Sequence, residues 1–493
     1  MDFLIDGSLG AGVLAMLAVG LLLALGFECA NGFHDTANAV ATVIYTHALT
    51  PTQAVVWSGL WNFIGVLVSS GAVAFGIVAL LPADLIVRIG SEAGFAMVFS
   101  LLVSAILWNV GTWYFGLPAS SSHTLIGSIM GVGLTHSLVA GHGLADGVNW
   151  SKLGQTMLAL LTSPVIGFVC AALLLWAVRL VLRDPVLHRP PEEGRPPPAA
   201  IRAVLVLTCT GVSFAHGSND GQKGMGLIML VLIGLAPAAF AVQLSMPTKQ
   251  LRAIVERGHD VQPILAGAAG TTPPDDSTAQ ANLERFADNG RSDARTLPSL
   301  AVKNADILRL LASVDSLRRL SVAERSRLRS NVYLLDTAID RLLRSDLVGD
   351  ADAASLDEYR DRLMPVTDYI PLWVKVAVAL ALGLGTMVGW RRIVVTIGEK
   401  IGRAKLSYAQ GASAELVTMS TIGLADLGGF PVSTTHILAS GVAGAMFAGR
   451  SGLQAATLRN ILLAWVLTVP ACMLLGSLLF ASSLFVTLRL FGA

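Results

Sequence analysis

Long apolar runs alternate with short polar breaks along most of the chain, and the runs are too long for the strands or half-buried helices of a soluble core. They lie near residues 9 to 27, 34 to 46, 53 to 81, 95 to 117, 120 to 140 and 155 to 182, then 203 to 217, 222 to 243, 370 to 390, 406 to 428, 432 to 449 and 457 to 490. This pattern predicts an all-α integral membrane protein with about 10 to 12 transmembrane segments. The polar breaks within 9 to 46 and 203 to 243 read as interrupted helices, each stretch counting as one crossing. One region departs from the pattern: residues 245 to 368 hold 17 Lys/Arg and 19 Asp/Glu, more than half of the chain's 67 such charges. It reads as a hydrophilic insert. Leu300, Ile307, Leu310, Leu311, Val314, Leu317 and Leu320 recur at helical spacing, which predicts two or three amphipathic helices, with residues 261 to 296 as a loop or linker.

Two short polar segments are rich in base: Arg179, Arg183, Arg189, Arg195 and Arg202, then Arg391, Arg392, Lys400, Arg403 and Lys405. By the positive-inside rule both face the cytoplasm. The chain must leave and return between them, so the insert and both termini are predicted outside. The first apolar run has no Lys or Arg before it, the first being Arg88, so it reads as a retained span and not as a cleaved signal. The predicted units are a first membrane repeat (1–182), a cytoplasmic linker (183–202), the first part of a second repeat (203–243), the insert (244–369) and the rest of the second repeat (370–493).

The repeat is visible in motifs. Asn31-Gly32-Phe33-His34-Asp35-Thr36-Ala37-Asn38 precedes a Pro118-Ala-Ser-Ser-Ser-His123 run, and His216-Gly217-Ser218-Asn219-Asp220-Gly221-Gln222-Lys223 precedes Pro431-Val-Ser-Thr-Thr-His436. Asp35 lies 83 residues before Pro118. Asp220 lies 211 before Pro431, or 87 once the 124-residue insert is set aside. An odd number of spans repeated once enters the membrane from opposite sides, which is the inverted-repeat architecture of many secondary transporters.

Composition narrows the chemistry. With 54% apolar and 14% charged residues, and a mean hydropathy of +0.66, a soluble enzyme is excluded. A net charge of +1 points to no nucleic acid. Cys29, Cys170, Cys209 and Cys472 lie in apolar runs without metal-like spacing, and no hydrolase or nucleotide motif is present, so neither enzyme nor cofactor is expected. Acids in apolar stretches are costly and therefore candidates for function: Glu28, Asp35, Asp220, Glu415 and Asp426, with Lys223 as basic partner. For Asp426 the competing reading is a helix end reaching water. Each Pro-x-Ser run opens a helix, where proline costs nothing and the hydroxyls and free amides face an anion. The competing reading for one run alone is capping and helix packing. His34, His123, His216 and His436 belong to these motifs; packing by hydrogen bond is the ordinary role of such histidines, and no metal site is predicted.

These residues resemble the inorganic phosphate transporter (Pit) family, most of all its bacterial low-affinity members. The similarity covers essentially all membrane segments, including Trp390-Arg391-Arg392 and Ile397-Gly398-Glu399-Lys400. The resemblance implies symport of inorganic phosphate in a bacterial inner membrane, coupled to protons or sodium, with Mg or Ca as a partner where the cargo is a neutral metal–phosphate complex. It implies phosphate contacts from Asp35, Asn38, Ser120, Ser121, Ser122, Thr124, Asn219, Asp220, Ser433, Thr434 and Thr435. Glu28, Asp35, Asp220, Lys223 and Glu415 are the coupling-ion candidates. Sodium-coupled members carry asparagine where Lys223 stands, which argues for protons. A homodimer is left open.

Elementary electrostatics leads the same way. A phosphate dianion and two aspartates cannot share a low-dielectric site without protons or a cation, because repulsion and desolvation add. Lys223 occupies the position that corresponds to Asn38 in the first repeat, so a tethered ammonium can do the work of a bound cation.

Overall fold

The structure is a computed structural model that describes residues 10–81, 92–141, 143–266, 273–344 and 348–491. Among the described residues every regular element is helical, apart from an isolated bridge between Gly402 and Leu453. The first half comprises α1 (Ala11–Asp35), α2 (Ala37–Tyr45), α3 (Pro51–Val68), α4 (Ala72–Val78), α5 (Glu92–Tyr114), α6 (Ser121–Val139) and α7 (Trp150–Val181). After the basic linker comes α8 (Ala199–Leu235). The insert holds α9 (Thr248–Ala266), α10 (Asp276–Asn289), α11 (Thr296–Ala312), α12 (Val322–Leu343) and α13 (Asp350–Leu363). The chain closes with α14 (Leu372–Thr386), α15 (Arg391–Glu399), α16 (Tyr408–Leu427), α17 (Thr434–Ala448) and α18 (Ala455–Phe491).

Outer faces of these helices expose Leu22, Leu173, Trp176, Leu207, Leu474 and Leu478. Such a surface suits lipid and would be an aggregation liability in water. By length and apolarity five described helices can cross a bilayer, or seven if each of two bent pairs forms one span. That is below the 10 to 12 segments the apolar runs predict. The helices α6 and α16 carry hydroxyls and glycines that dilute their apolar content, and α17 is apolar but only 15 residues long.

The two motif stretches are not interrupted, contrary to the sequence expectation. Thr36, between α1 and α2, itself has helical angles (φ −51°, ψ −38°), and α8 runs unbroken for 37 residues. Their glycines serve close packing. A Cβ on Gly32 would lie 2.4 Å from the Leu382 carbonyl oxygen of α14, and one on Gly217 would lie 2.2 Å from that of Asn62 on α3. The chain bends elsewhere, by 77° between α3 and α4 and by 63° between α14 and α15, where Gly71 (φ +97°) and Gly389 (φ +71°) take the left-handed conformation.

Packing is reciprocal between the halves. α1 lies on α14 while α8 lies on α3; α6 lies on α18 while α17 lies on α7; α1 also meets α5 as α8 meets α16. The insert has five described helices instead of two or three, and they share a core that includes Leu251, Ile254, Leu300, Ile307, Leu335, Ile339 and Leu356. The expected loop over 261 to 296 is largely helix. α9 continues through Pro263 to Ala266, and Asp275 caps α10 by accepting from the Thr278 amide; Thr271 and Thr272 lie outside the described residues. Proline and Asx residues mark helix starts as readily as loops, and here they do the former. The insert is tied to the membrane part by polar contacts: Arg341 donates to Asn149 at 3.1 Å, Arg325 to the Ala238 carbonyl, and Arg329 to the Ala241 carbonyl.

Candidate functional site

Close packing of α1 on α8 brings Asp35 and Asp220 together in the interior, where both are buried. The Ser121 hydroxyl lies 3.4 Å from Oδ2 of Asp35 and 3.3 Å from Oδ2 of Asp220, so it can donate to either. His216 Nε2 stands 3.8 and 3.7 Å from the same two oxygens. The other Asp35 oxygen accepts from Thr435 at 2.7 Å and faces His34 Nδ1 at 3.1 Å. Lys223, one turn after Asp220 on α8, places its ammonium 2.7 Å from Asp220 Oδ2, and its side chain is fully buried. Ligand-type atoms of Asp35, His216 and Asp220 lie within 4.8 Å of one another. The Lys223 ammonium already sits against Asp220, so positive charge at this corner is supplied by the chain itself.

The two Pro-x-Ser runs arrive at this cluster from opposite halves. Ser120 caps α6 by accepting from the His123 amide at 3.3 Å, and Ser433 caps α17 by accepting from the His436 amide at 3.2 Å. Ser122 ties one run to the other by donating to the Val432 carbonyl at 2.7 Å, and the His123 and His436 rings lie 4.5 Å apart. Asn38 completes the join, donating to Thr434 at 3.2 Å and Thr435 at 3.0 Å. Two helix N-termini, each with a positive dipole end and hydroxyl donors, thus meet at a carboxylate pair, one member of which, Asp220, is paired with the Lys223 ammonium. The arrangement can bind an oxyanion and exchange protons or cations with it.

The pattern that defines the phosphate transporter family matches residues 31–476. The chain belongs to that family. It is 43% identical to the low-affinity inorganic phosphate transporter PitA of Escherichia coli, over 97% of this chain and 98% of that protein. It is 40% identical to the low-affinity inorganic phosphate transporter of Buchnera aphidicola subsp. Acyrthosiphon pisum, over 95% of this chain and 97% of that one. The probable low-affinity inorganic phosphate transporter of Bacillus subtilis is 26% identical over 94% and 97%. In fold the chain is similar to a solved structure of the sodium-dependent phosphate transporter, with a TM-score of 0.53 at 17% identity, covering 96% of this chain and 99% of that one. These relatives are transporters, not enzymes.

In this member of the phosphate transporter family the sequence candidates fall into three groups. Asp35, Asn38, Ser121, Asp220, Lys223, Thr434 and Thr435 form the cluster itself. Ser120, Ser122, Thr124 and Ser433 shape it, their side chains engaged with the backbone; Thr124 donates to the Ser120 carbonyl at 2.9 Å. Asn219 donates to the Phe430 carbonyl at 3.1 Å and anchors α8 to the turn before α17. Glu28 is buried two turns before Asp35, against Gly224. Glu415 is not part of the cluster. It accepts from Thr208 at 2.5 Å, and Thr208 precedes Asp220 by about 18 Å of helical rise. Asp426 accepts from Ser218 and Gln222 at 2.5 and 2.7 Å, which binds α16 to α8 instead of leaving it to water. One group escaped the sequence reading: Asn62, whose Oδ1 is 2.8 Å from His216 Nδ1 while its Nδ2 donates to Thr386 at 3.1 Å, so it sets the orientation of the imidazole. A lone asparagine inside the apolar run 53 to 81 was the available signal.

Proposed function

We propose that the chain imports inorganic phosphate across a bacterial inner membrane as a proton-coupled symporter working by alternating access. The observation that carries this reading is the meeting of two hydroxyl-bearing helix starts with Asp35, Asp220 and Lys223 in one buried cluster. Amides and hydroxyls at those starts bind the anion, and its charge is balanced by Lys223 and by protons on the acids. Alternating access calls for two inverted repeats, which the reciprocal packing of the halves supports: α1 on α14 answers α8 on α3, and α6 on α18 answers α17 on α7. In this reading the insert and both termini face the periplasm.

The test is uptake of radiolabelled phosphate into proteoliposomes without sodium. An imposed gradient, acid outside, should concentrate phosphate inside. Flux that is strictly downhill and insensitive to any gradient would make the protein a passive channel. Uptake that requires sodium would favour a sodium-coupled reading, which the fold shared with a sodium-dependent phosphate transporter keeps in play. Chelating Mg and Ca during the assay separates free phosphate from a metal–phosphate cargo.

A further inference from the structure

Aligned through Asp35 and Asp220, residues 28 to 45 and 213 to 230 differ in Asp, Glu, Lys or Arg at two positions. Glu28 stands opposite Ser213, and Lys223 stands opposite Asn38. The first helix has one acid more than its counterpart and the second one base more, and the fold brings the two departures to one place. Glu28 is fully buried with its side chain against Gly224, the residue that follows Lys223. Gly224 departs from the repeat as well, standing opposite Ala39. A Cβ there would lie 2.2 Å from Glu28 Cγ and 2.4 Å from its Oε1, so the glycine makes room for the acid. Neither Glu28 oxygen makes a hydrogen bond of full geometry among the described residues; the polar groups nearest to it are the uncharged Asn31 side chain and the Gly224 backbone. The charged groups facing Glu28 are Asp220 and Lys223, both from α8, with the Cys29 thiol beside it. The helices α5 and α14 also pack on α1, where the uncharged Thr112 meets His34 and the Thr386 carbonyl accepts from Thr36.

We infer that Glu28 carries the coupled proton and that Lys223 links that proton to phosphate. While Glu28 holds its proton, the ammonium pairs with Asp220, as observed, and strengthens the phosphate end of the cluster. When the proton leaves to water, the new carboxylate has no donor among the charged groups around it except Lys223. Neutral donors such as Asn31 and the Gly224 backbone leave the charge of a buried anion uncompensated, so the ammonium turns toward Glu28 and the phosphate end loses its cation. Proton and phosphate are then bound together and released together, the coupling of two sites through one shared group.

This rests on the proton-coupled reading, and the experiment separates the two. Wild type and Glu28→Gln are compared in proteoliposomes for phosphate uptake driven by a pH gradient, and for exchange of external labelled against internal unlabelled phosphate at equal pH. Glu28→Gln should lose gradient-driven uptake by about tenfold or more while exchange falls less than about threefold and loses its pH dependence, and Glu28→Asp should recover part of the driven uptake. Driven uptake that persists in Glu28→Gln overturns this inference alone. A wild type indifferent to the pH gradient overturns both. Loss of both modes in Glu28→Gln with no recovery in Glu28→Asp also overturns it, because that is the signature of a packing role.

Discussion

Asp35 and Asp220 share Ser121 and His216 as neighbours, but Asp35 is further held by the neutral Thr435 hydroxyl and by His34, and Asp220 by the Lys223 ammonium. Asp35→Asn and Asp220→Asn should both abolish pH-driven phosphate uptake in proteoliposomes. Only Asp220→Asn strands a buried charge, and breaking such a pair costs about 3 to 5 kcal/mol. The purified Asp220→Asn protein should therefore melt at a lower temperature than Asp35→Asn in a thermal-shift measurement. Hydroxyls divide in the same manner. Ser121→Ala removes a donor aimed at both carboxylates and should weaken apparent phosphate affinity by roughly two- to twelvefold, the worth of about 0.5 to 1.5 kcal/mol. Ser122→Ala loses a bond to the Val432 carbonyl and should leave affinity nearly unchanged. Equal effects in initial-rate uptake would contradict this division. The aspartates were legible in the sequence because a repeat marks equivalent positions without any knowledge of contacts. Glu415 was not separable from them, since hydropathy does not say which depth of a helix pair an acid occupies.

Helix continuity was the least legible feature. Glycine is a poor helix former in isolation, so glycine-bearing motifs read as interruptions. In the packed molecule Gly32 and Gly217 let a neighbouring backbone approach so closely that their helices persist, and the bends fall at Ser69 to Gly71 and at Met387 to Trp390. Gly217→Ala would place a methyl 2.2 Å from a backbone oxygen that cannot swing aside, whereas Gly154 has nothing within 4 Å of such a methyl. Gly217→Ala should lower the melting temperature and the yield of folded protein. Gly154→Ala should be neutral or stabilising, by up to about 1 kcal/mol. A Gly217→Ala protein as stable as wild type would mean that α3 and α8 are not held this close.

At the scale of the whole molecule, the insert is fitted to the membrane helices through charge. Burial at the joint pushes the Asp368 carboxyl up to about 6; nearby Asp336 adds to this, while Arg329, Thr367 and Arg360 oppose it. The folded chain then keeps a proton that the unfolded chain releases above the ordinary value of 3.8. Stability is lost as pH rises between those values, by at most roughly 3 kcal/mol. Asp336 is raised by burial and acts in the same sense, whereas Asp306, lowered by Arg309 and Arg327 against its burial, contributes stability that is lost only at more acid pH. Melting temperature should accordingly rise from pH 7 to pH 5, and Asp368→Asn should raise it at pH 7 and flatten the profile. The orientation of the insert rests on the two basic segments alone. A reporter fused near Asp276 should be active in the periplasm, and activity confined to the cytoplasm would reverse the topology.

The unbroken course of α8 has a mechanical consequence. Its 37 residues span about 55 Å, from the basic linker through the cluster of Asp35 and Asp220 to a turn whose Ala238 and Ala241 carbonyls are gripped by Arg325 and Arg329 of the insert. A rod of this length that pivoted near Asp220 would act as a lever. A tilt of about 10° there would carry Leu235 by about 4 Å, so whatever clamps the insert would also set the angle at which the site is held.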